Sequence, residues 1–312
     1  MAATTHQAGS TGIGRRRWSP QSRHNFLWGL VFTSPAILGL VLFRVYPVLA
    51  SLYYSFTSYS IFGSPRWIGV ENYRNLISDK NFWKSLFNTV YFLSFSIPMG
   101  IVVGLALALL LNMQVRGMSF YRTVFFLPSI VPAVASAVIF NYVFNPQYGI
   151  LNNMLRIVGI NGPGWLAHPS WAMPALIVIS LWGVGNLMLI LLAGLQDVPQ
   201  DLYDAAFVDG AAWAQRFRHV TLPFLSPHLF FALITGLIAG FQYFAQPYVI
   251  SNGTGGPARS TLVYGLYLWQ NAFKFFKMGY ASAMAWVLLI VIVITTLVTF
   301  RALSRRVYYG GA

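Results

Sequence analysis

Cysteine is absent from the 312 residues. That excludes a disulfide framework, a thiolate nucleophile and any Cys-ligated zinc or iron–sulfur centre. Charge is nearly as scarce. Asp, Glu, Lys and Arg together make 8% of the chain, against about a quarter in an ordinary soluble domain. So few charges cannot cover a water-facing surface. Negative charge is scarcest, with 6 Asp and Glu against 20 Lys and Arg and a net charge of +14. The histidines, His6, His24, His168, His219 and His228, never fall at metal-ligand spacing, so no metal site is predicted. No Gly-rich loop ends in Lys-Ser/Thr; the stretch from Gly253 to Pro257 is Gly-rich but lacks the lysine and reads as a turn. The chain therefore has no phosphate-cradling loop of that kind.

What is present is apolar. Hydrophobic residues make 57% of the sequence, which defines an integral membrane protein and excludes both a disordered chain and a secreted scaffold. A spanning helix needs roughly 20 apolar residues. Six runs meet that length, at about 26–55, 86–112, 122–144, 172–195, 224–250 and 280–303. Residues 1–25 read as a disordered basic cytosolic tail rather than a cleavable signal, and 304–312 as a cytosolic C-terminal tail. In the first run, Arg44 and Pro47 mark the outer end, with Tyr46, Tyr53, Tyr54 and Tyr59 as an aromatic belt. An even number of spans puts both termini on one side. With the termini inside, inner segments hold eleven Lys and Arg and outer segments eight, so the basic bias places the termini in the cytosol. The positive charge serves topology and contact with anionic lipid rather than nucleic acid. No acid lies inside a span, which argues against a carrier with its own coupling-ion site.

Four of the six acids, Asp197, Asp201, Asp204 and Asp209, share the loop 196–223 between the fourth and fifth runs. Pro199 suits the first turn of a helix. Leu202, Ala205, Ala206 and Asp209 then repeat at helical spacing, and the two alanines form a small, flat patch. Gly210 can turn the chain, and Asp209 can cap a second helix. Trp213, Phe217 and Val220 give that helix one apolar face. Leu222-Pro223 is expected to end it at the membrane. The loop reads as a helix–turn–helix over 199–223, which suits either a hairpin on the headgroups or a docking element for a cytosolic partner.

The spacing Asp204-Ala205-Ala206, three residues, Gly210, nine residues, Val220-Thr221-Leu222-Pro223 resembles the EAA motif of binding-protein-dependent ABC importer permeases. It departs only in Asp for Glu at 204 and Val for Ile at 220. The stretches Gly69 to Arg74, Gly149 to Asn153, Thr254 to Pro257 and Met278 to Ala283 are similar to the carbohydrate-type permeases, and the long outer segment 57–85 to the MalF/UgpA-type member of a permease pair. The resemblance implies an all-α membrane protein of six transmembrane helices with the type I ABC importer permease fold. It implies a multi-pass subunit of the bacterial cytoplasmic (inner) membrane that is not itself an enzyme. No cofactor is expected on this chain; ATP and Mg belong to a partner ATPase. The implied partners are a second permease subunit in a heterodimer, two ATPase subunits, an extracytoplasmic solute-binding protein and the lipid bilayer. Leu202, Asp204, Ala205, Ala206, Asp209, Gly210, Val220, Leu222 and Pro223 would form the coupling surface.

A sugar site needs hydrogen-bonding groups and aromatic faces. The fourth run offers Trp182, Gly183 and Asn186, with Trp182 and Asn186 four apart on one face. The fifth offers Gly240, Gln242, Tyr243 and Gln246, with the two glutamines likewise four apart. In resembling permeases these two spans line the central cavity. A sugar or oligosaccharide is the expected cargo. The alternatives are glycerol 3-phosphate or a glycerophosphodiester within the same class, and a solitary secondary transporter outside it.

Overall fold

A computed structural model describes residues 20–113 and 115–308. The tail expected at 1–25 lies largely outside the described residues, as do 309–312. The chain divides into two units, Met1–Ser51 and Leu52–Ala312. The described part of the first is a helix, α1 (Pro20–Leu40), which passes through a widened π turn at Val41–Val45 into α2 (Tyr46–Ser55). It is apolar all round, as a lipid-facing helix must be.

The second unit is helical throughout. Its elements are α3 (Glu71–Ser78), α4 (Lys80–Leu111), α5 (Met118–Phe126), α6 (Ala133–Val143), α7 (Ile150–Ile157), α8 (Pro169–Trp182), α9 (Gly185–Gln196), α10 (Gln200–Val208), α11 (Trp213–Arg216), α12 (Leu222–Phe241), α13 (Ala245–Ile250), α14 (Tyr264–Trp269) and α15 (Met278–Leu303). Extended pairing among the described residues is limited to isolated bridges, Thr57 with Trp67 and Ser60 with Gly63. Helix α4 is the central post: α8, α9 and α12 all pack on it. One apolar core gathers around Leu176, Tyr264 and Met284, and a second around Ala108, Met188, Leu191 and Leu225.

Four helices are long and apolar enough to cross a membrane, or up to six if each of two bent pairs is one span. Two of the apolar runs are bent. The third apolar run is folded by 97° between Met118–Ile130 and Ala133–Val143. Its hinge is Val131-Pro132. The residue before a proline is pushed out of the helical region, and Val131 accordingly has ψ 127°. The fourth run bends by 50° between Trp182 and Gly185. There α9 starts hard against the preceding hinge, since a Cβ on Gly185 would fall 2.9 Å from Ser129 Oγ and 3.0 Å from Phe126 Cα. Only glycine admits that approach.

The fifth run begins earlier than expected. Leu222-Pro223 does not end the helix; α11 continues through a π turn at Phe217–Thr221 directly into α12. A helical proline clashes with the carbonyl four residues back. A π turn relieves this by lengthening the hydrogen bond to five residues, and Leu222 N–H indeed reaches Phe217 O. The first helix repeats the device: Tyr46 N–H reaches Val41 O just before Pro47, so the helix runs on past Arg44 and Pro47 to Ser55.

Candidate functional site

Two places collect the sequence-predicted residues. The first is the segment 199–223. Pro199 stands at the N-cap of α10 and Asp201 in its first turn, where a carboxylate meets the positive end of the helix dipole. Asp204 is exposed, and Gln200 Nε2 donates to its Oδ1 at 3.2 Å. Leu202, Ala205 and Asp209 are exposed and Ala206 is half-buried. Gly210 has φ +74°, the left-handed turn anticipated for it. Asp209 does not cap the second helix. It closes α10, and α11 begins at Ala212, whose N–H donates to Gln215 Oε1 at 2.7 Å. The longer Gln side chain reaches back where the Asp is a turn too early.

The two arms are tied together by Tyr203, Phe207 and Arg216, which sequence reasoning missed. The hydroxyls of Tyr203 and Thr221 lie 2.9 Å apart, and Arg216 rests over the Phe207 ring at 5.7 Å. Within the second arm, Trp213 stacks on Phe217 at 5.6 Å, on the apolar face expected of it. The tie leaves a patch of large apolar side chains in the open: Phe207 is 70% exposed, Val208 85% and Trp213 66%. Val220 and Pro223 are half-buried in the turn leading to α12, and Leu222 is exposed beside them.

The second place is a cavity of about 210 Å³ where the broken runs meet. Ser129 and Ser136 come from the two sides of the first hinge, Ser180, Trp182 and Gly183 from the second, and Gln246 from just beyond the break at Gln242–Phe244. The Gln246 amide is the hub. Its Nε2 donates to Ser136 Oγ at 2.9 Å, and its Oε1 accepts from Tyr243 Oη at 2.7 Å. Tyr243 in turn stacks on Phe92 with ring centres 4.2 Å apart, and Trp182 meets Phe140 edge-on at 5.5 Å. Asn186, Gly240 and Gln242 lie outside the lining. Gly240 faces Leu93, with no room for a Cβ. Gln242 turns back on its own helix, donating to Ile238 O at 3.0 Å. The shared faces expected for Trp182 with Asn186, and for Gln242 with Gln246, do not form because each pair straddles a helix break. Polar groups and free backbone at such depth are tolerated only where protein or a water-filled path surrounds them. The prolines Pro128 and Pro132, four apart, are the sequence signal that marks the missed serines.

A third feature was not anticipated. Asp79 caps α4, accepting Asn81 N–H at 2.8 Å, and also accepts the hydroxyls of Tyr267 at 2.5 Å and Tyr280 at 2.7 Å. Burial alone would raise its pKa. The Tyr267 and Tyr280 hydrogen bonds and the backbone N–H groups outweigh that and hold it below the usual carboxylate value. Beside it opens a cavity of about 640 Å³, lined among others by Glu71, Asn75, Phe276 and Lys277.

A membrane bundle with broken spans around a polar cavity, and an exposed helical hairpin at its edge, is the architecture of a transport subunit. Residues 81–308 match the family described as binding-protein-dependent transport system inner membrane component, and the chain belongs to that family. It is 42% identical over 301 residues to the probable ABC transporter permease protein YesP of Bacillus subtilis (strain 168), covering 96% of this chain and 97% of that one. It is 36% identical over 283 residues to the sulfoquinovosyl glycerol transport system permease protein SmoG of Agrobacterium fabrum, covering 90% and 91%. Among solved structures, a bacterial alginate ABC transporter in complex with an alginate pentasaccharide-bound periplasmic protein matches with TM-score 0.77 at 23% identity, over 96% of this chain and all of that chain. The protein is thus a multi-pass ABC importer permease, a transport component rather than an enzyme.

Proposed function

We propose that this chain carries a sugar or oligosaccharide across the bacterial inner membrane, with both termini in the cytosol. An extracytoplasmic binding protein delivers the sugar, a second permease completes the path, and two ATPase subunits bind ATP and Mg and drive it. The observation that carries the reading is the exposed hairpin 199–223. Its open Phe207, Val208 and Trp213 suit a groove on another protein, and its second arm runs without interruption into α12. Three large apolar side chains left open at a tied, ordered turn mark a contact surface, and the acids Asp201, Asp204 and Asp209 beside them suit a protein better than anionic headgroups. The relative SmoG, named for a glycoside, supports a sugar as cargo. So does the cavity, which presents hydroxyls, an amide and a Trp face and no charged side chain. A phosphate cargo would call for an Arg or Lys there.

The test is co-purification of the tagged chain with the products of its neighbouring genes. Wild type brings down an ATPase, and Asp204→Lys with Gly210→Pro releases it and abolishes binding-protein-stimulated ATP hydrolysis. No ATPase with wild type, or an unaffected double variant, would leave the segment a surface hairpin. The cavity is tested separately: Trp182→Ala and Gln246→Ala each lower uptake at least tenfold while the ATPase stays bound. Uptake at wild-type level in both variants would remove the cavity from the path.

A further inference from the structure

A groove of about 350 Å³ lies between the foot of α12, the end of α15 and Ile101 of α4. Leu222, Leu229, Leu233, Leu303 and Val307 form most of its wall. Ser226 is the polar residue on it, and its hydroxyl is already engaged. It donates to Pro223 O at 2.6 Å and accepts the Tyr308 N–H at 2.8 Å. The groove therefore offers no free hydrogen-bonding side chain. A sugar, a nucleotide or an extended peptide would leave its own polar groups unsatisfied there; a hydrocarbon chain would not.

The elements that build the groove end in positive charge. Arg218 precedes Leu222 by one turn and is exposed. Arg301, in the last turn of α15, and Arg305, in the turn that follows, are exposed as well. No Asp or Glu occurs from residue 278 to the end of the chain. Phe300 packs on Phe230 at 5.4 Å, and Leu303 follows Phe300 by one turn, so the wall of α15 is the face that closes on α12.

We propose that this groove binds one acyl chain of an anionic phospholipid whose phosphate meets the exposed arginines of the flanking turns, Arg218 and Arg305. An apolar wall with basic turns beside it is complementary to the two ends of that ligand. The bound chain braces the foot of α12, the helix that carries the hairpin. Assignment to the cytosolic leaflet rests on the orientation proposed above; the site itself does not.

The full chain, co-purified with its partner subunits, is placed in vesicles of equal phosphatidylglycerol and phosphatidylcholine. A trace of either lipid carries a photoactivatable acyl chain, and adducts are mapped by mass spectrometry. The phosphatidylglycerol probe labels peptides covering 222–233 and 303–307, and unlabelled phosphatidylglycerol competes where phosphatidylcholine does not. Neutralising Arg218→Gln or Arg305→Gln lowers that preference roughly fivefold each, the factor that corresponds to about 1 kcal/mol per basic residue at an anionic surface. Leu229→Trp, which fills the groove, removes the adducts with the arginines intact. Equal labelling by both probes would make these ordinary boundary lipids and overturn the proposal. So would adducts that miss the groove, or a partner subunit cross-linked in it. Because ATPase binding is not read here, failure of this site leaves the coupling assignment untouched.

Discussion

Asp79 shows how a single side chain can organise a region. One carboxylate terminates α4 and receives hydroxyls from residues 188 and 201 positions further along the chain. Hydrogen bonds to a charged group contribute about 1.5–3 kcal/mol when well shielded, and partial exposure reduces that here. Asp79→Ala is therefore expected to lower stability by about 1–2 kcal/mol at neutral pH, read as a drop in Tm in detergent. The pH dependence follows from the lowered folded pKa. The contribution is full above the unfolded value of about 3.9 and is lost as pH falls through the lower folded one. Wild type and variant should differ fully at pH 7 and converge in strong acid. A gap in Tm that persists in strong acid, after the folded carboxylate has itself been protonated, would assign the loss to packing instead. None of this was visible in the sequence. An isolated Asp before an apolar run reads as a helix cap, which it is, but nothing local points to tyrosines so far away.

The helices were legible from apolar runs and the hairpin from its spacing; Pro128 and Pro132 mark a kink, but neither a fold as sharp as 97° nor the break from Trp182 to Gly185 was legible. A window of apolar residues reads straight through Val131-Pro132 and through Trp182 to Gly185, because both hinges are themselves apolar or small. The shared faces inferred for Trp182 with Asn186 and for Gln242 with Gln246 assumed unbroken helices, and both failed where the backbone turned. Gly183 and Gly185 separate bending from packing. A Cβ on Gly183 would meet nothing nearer than Ser180 O at 3.9 Å, whereas on Gly185 it meets backbone of the preceding hinge. Gly185→Ala should thus cost about 1–3 kcal/mol by overpacking and lower transport, while Gly183→Ala should leave stability within about 0.5 kcal/mol of wild type. Thermal unfolding of the two variants side by side decides it. Equal effects would mean that the bend, not the contact, requires glycine.

At the scale of the molecule, scarcity of charge explains where function can sit. Four of the six acids share the loop 196–223 and none is in the cavity lining. On the function proposed above, the work arrives through contact at the hairpin. The helical stretch Trp213–Phe241 gives the hairpin a mechanical meaning. It runs on from the hairpin to the break at Gln242, a reach of some 40 Å at about 1.5 Å per residue. On the function proposed above, the stretch would act as a lever arm whose joint lies beside Gln246 and the cavity. A push on Trp213 would then emerge as a change of angle at the joint, and so as a change in the width of the cavity.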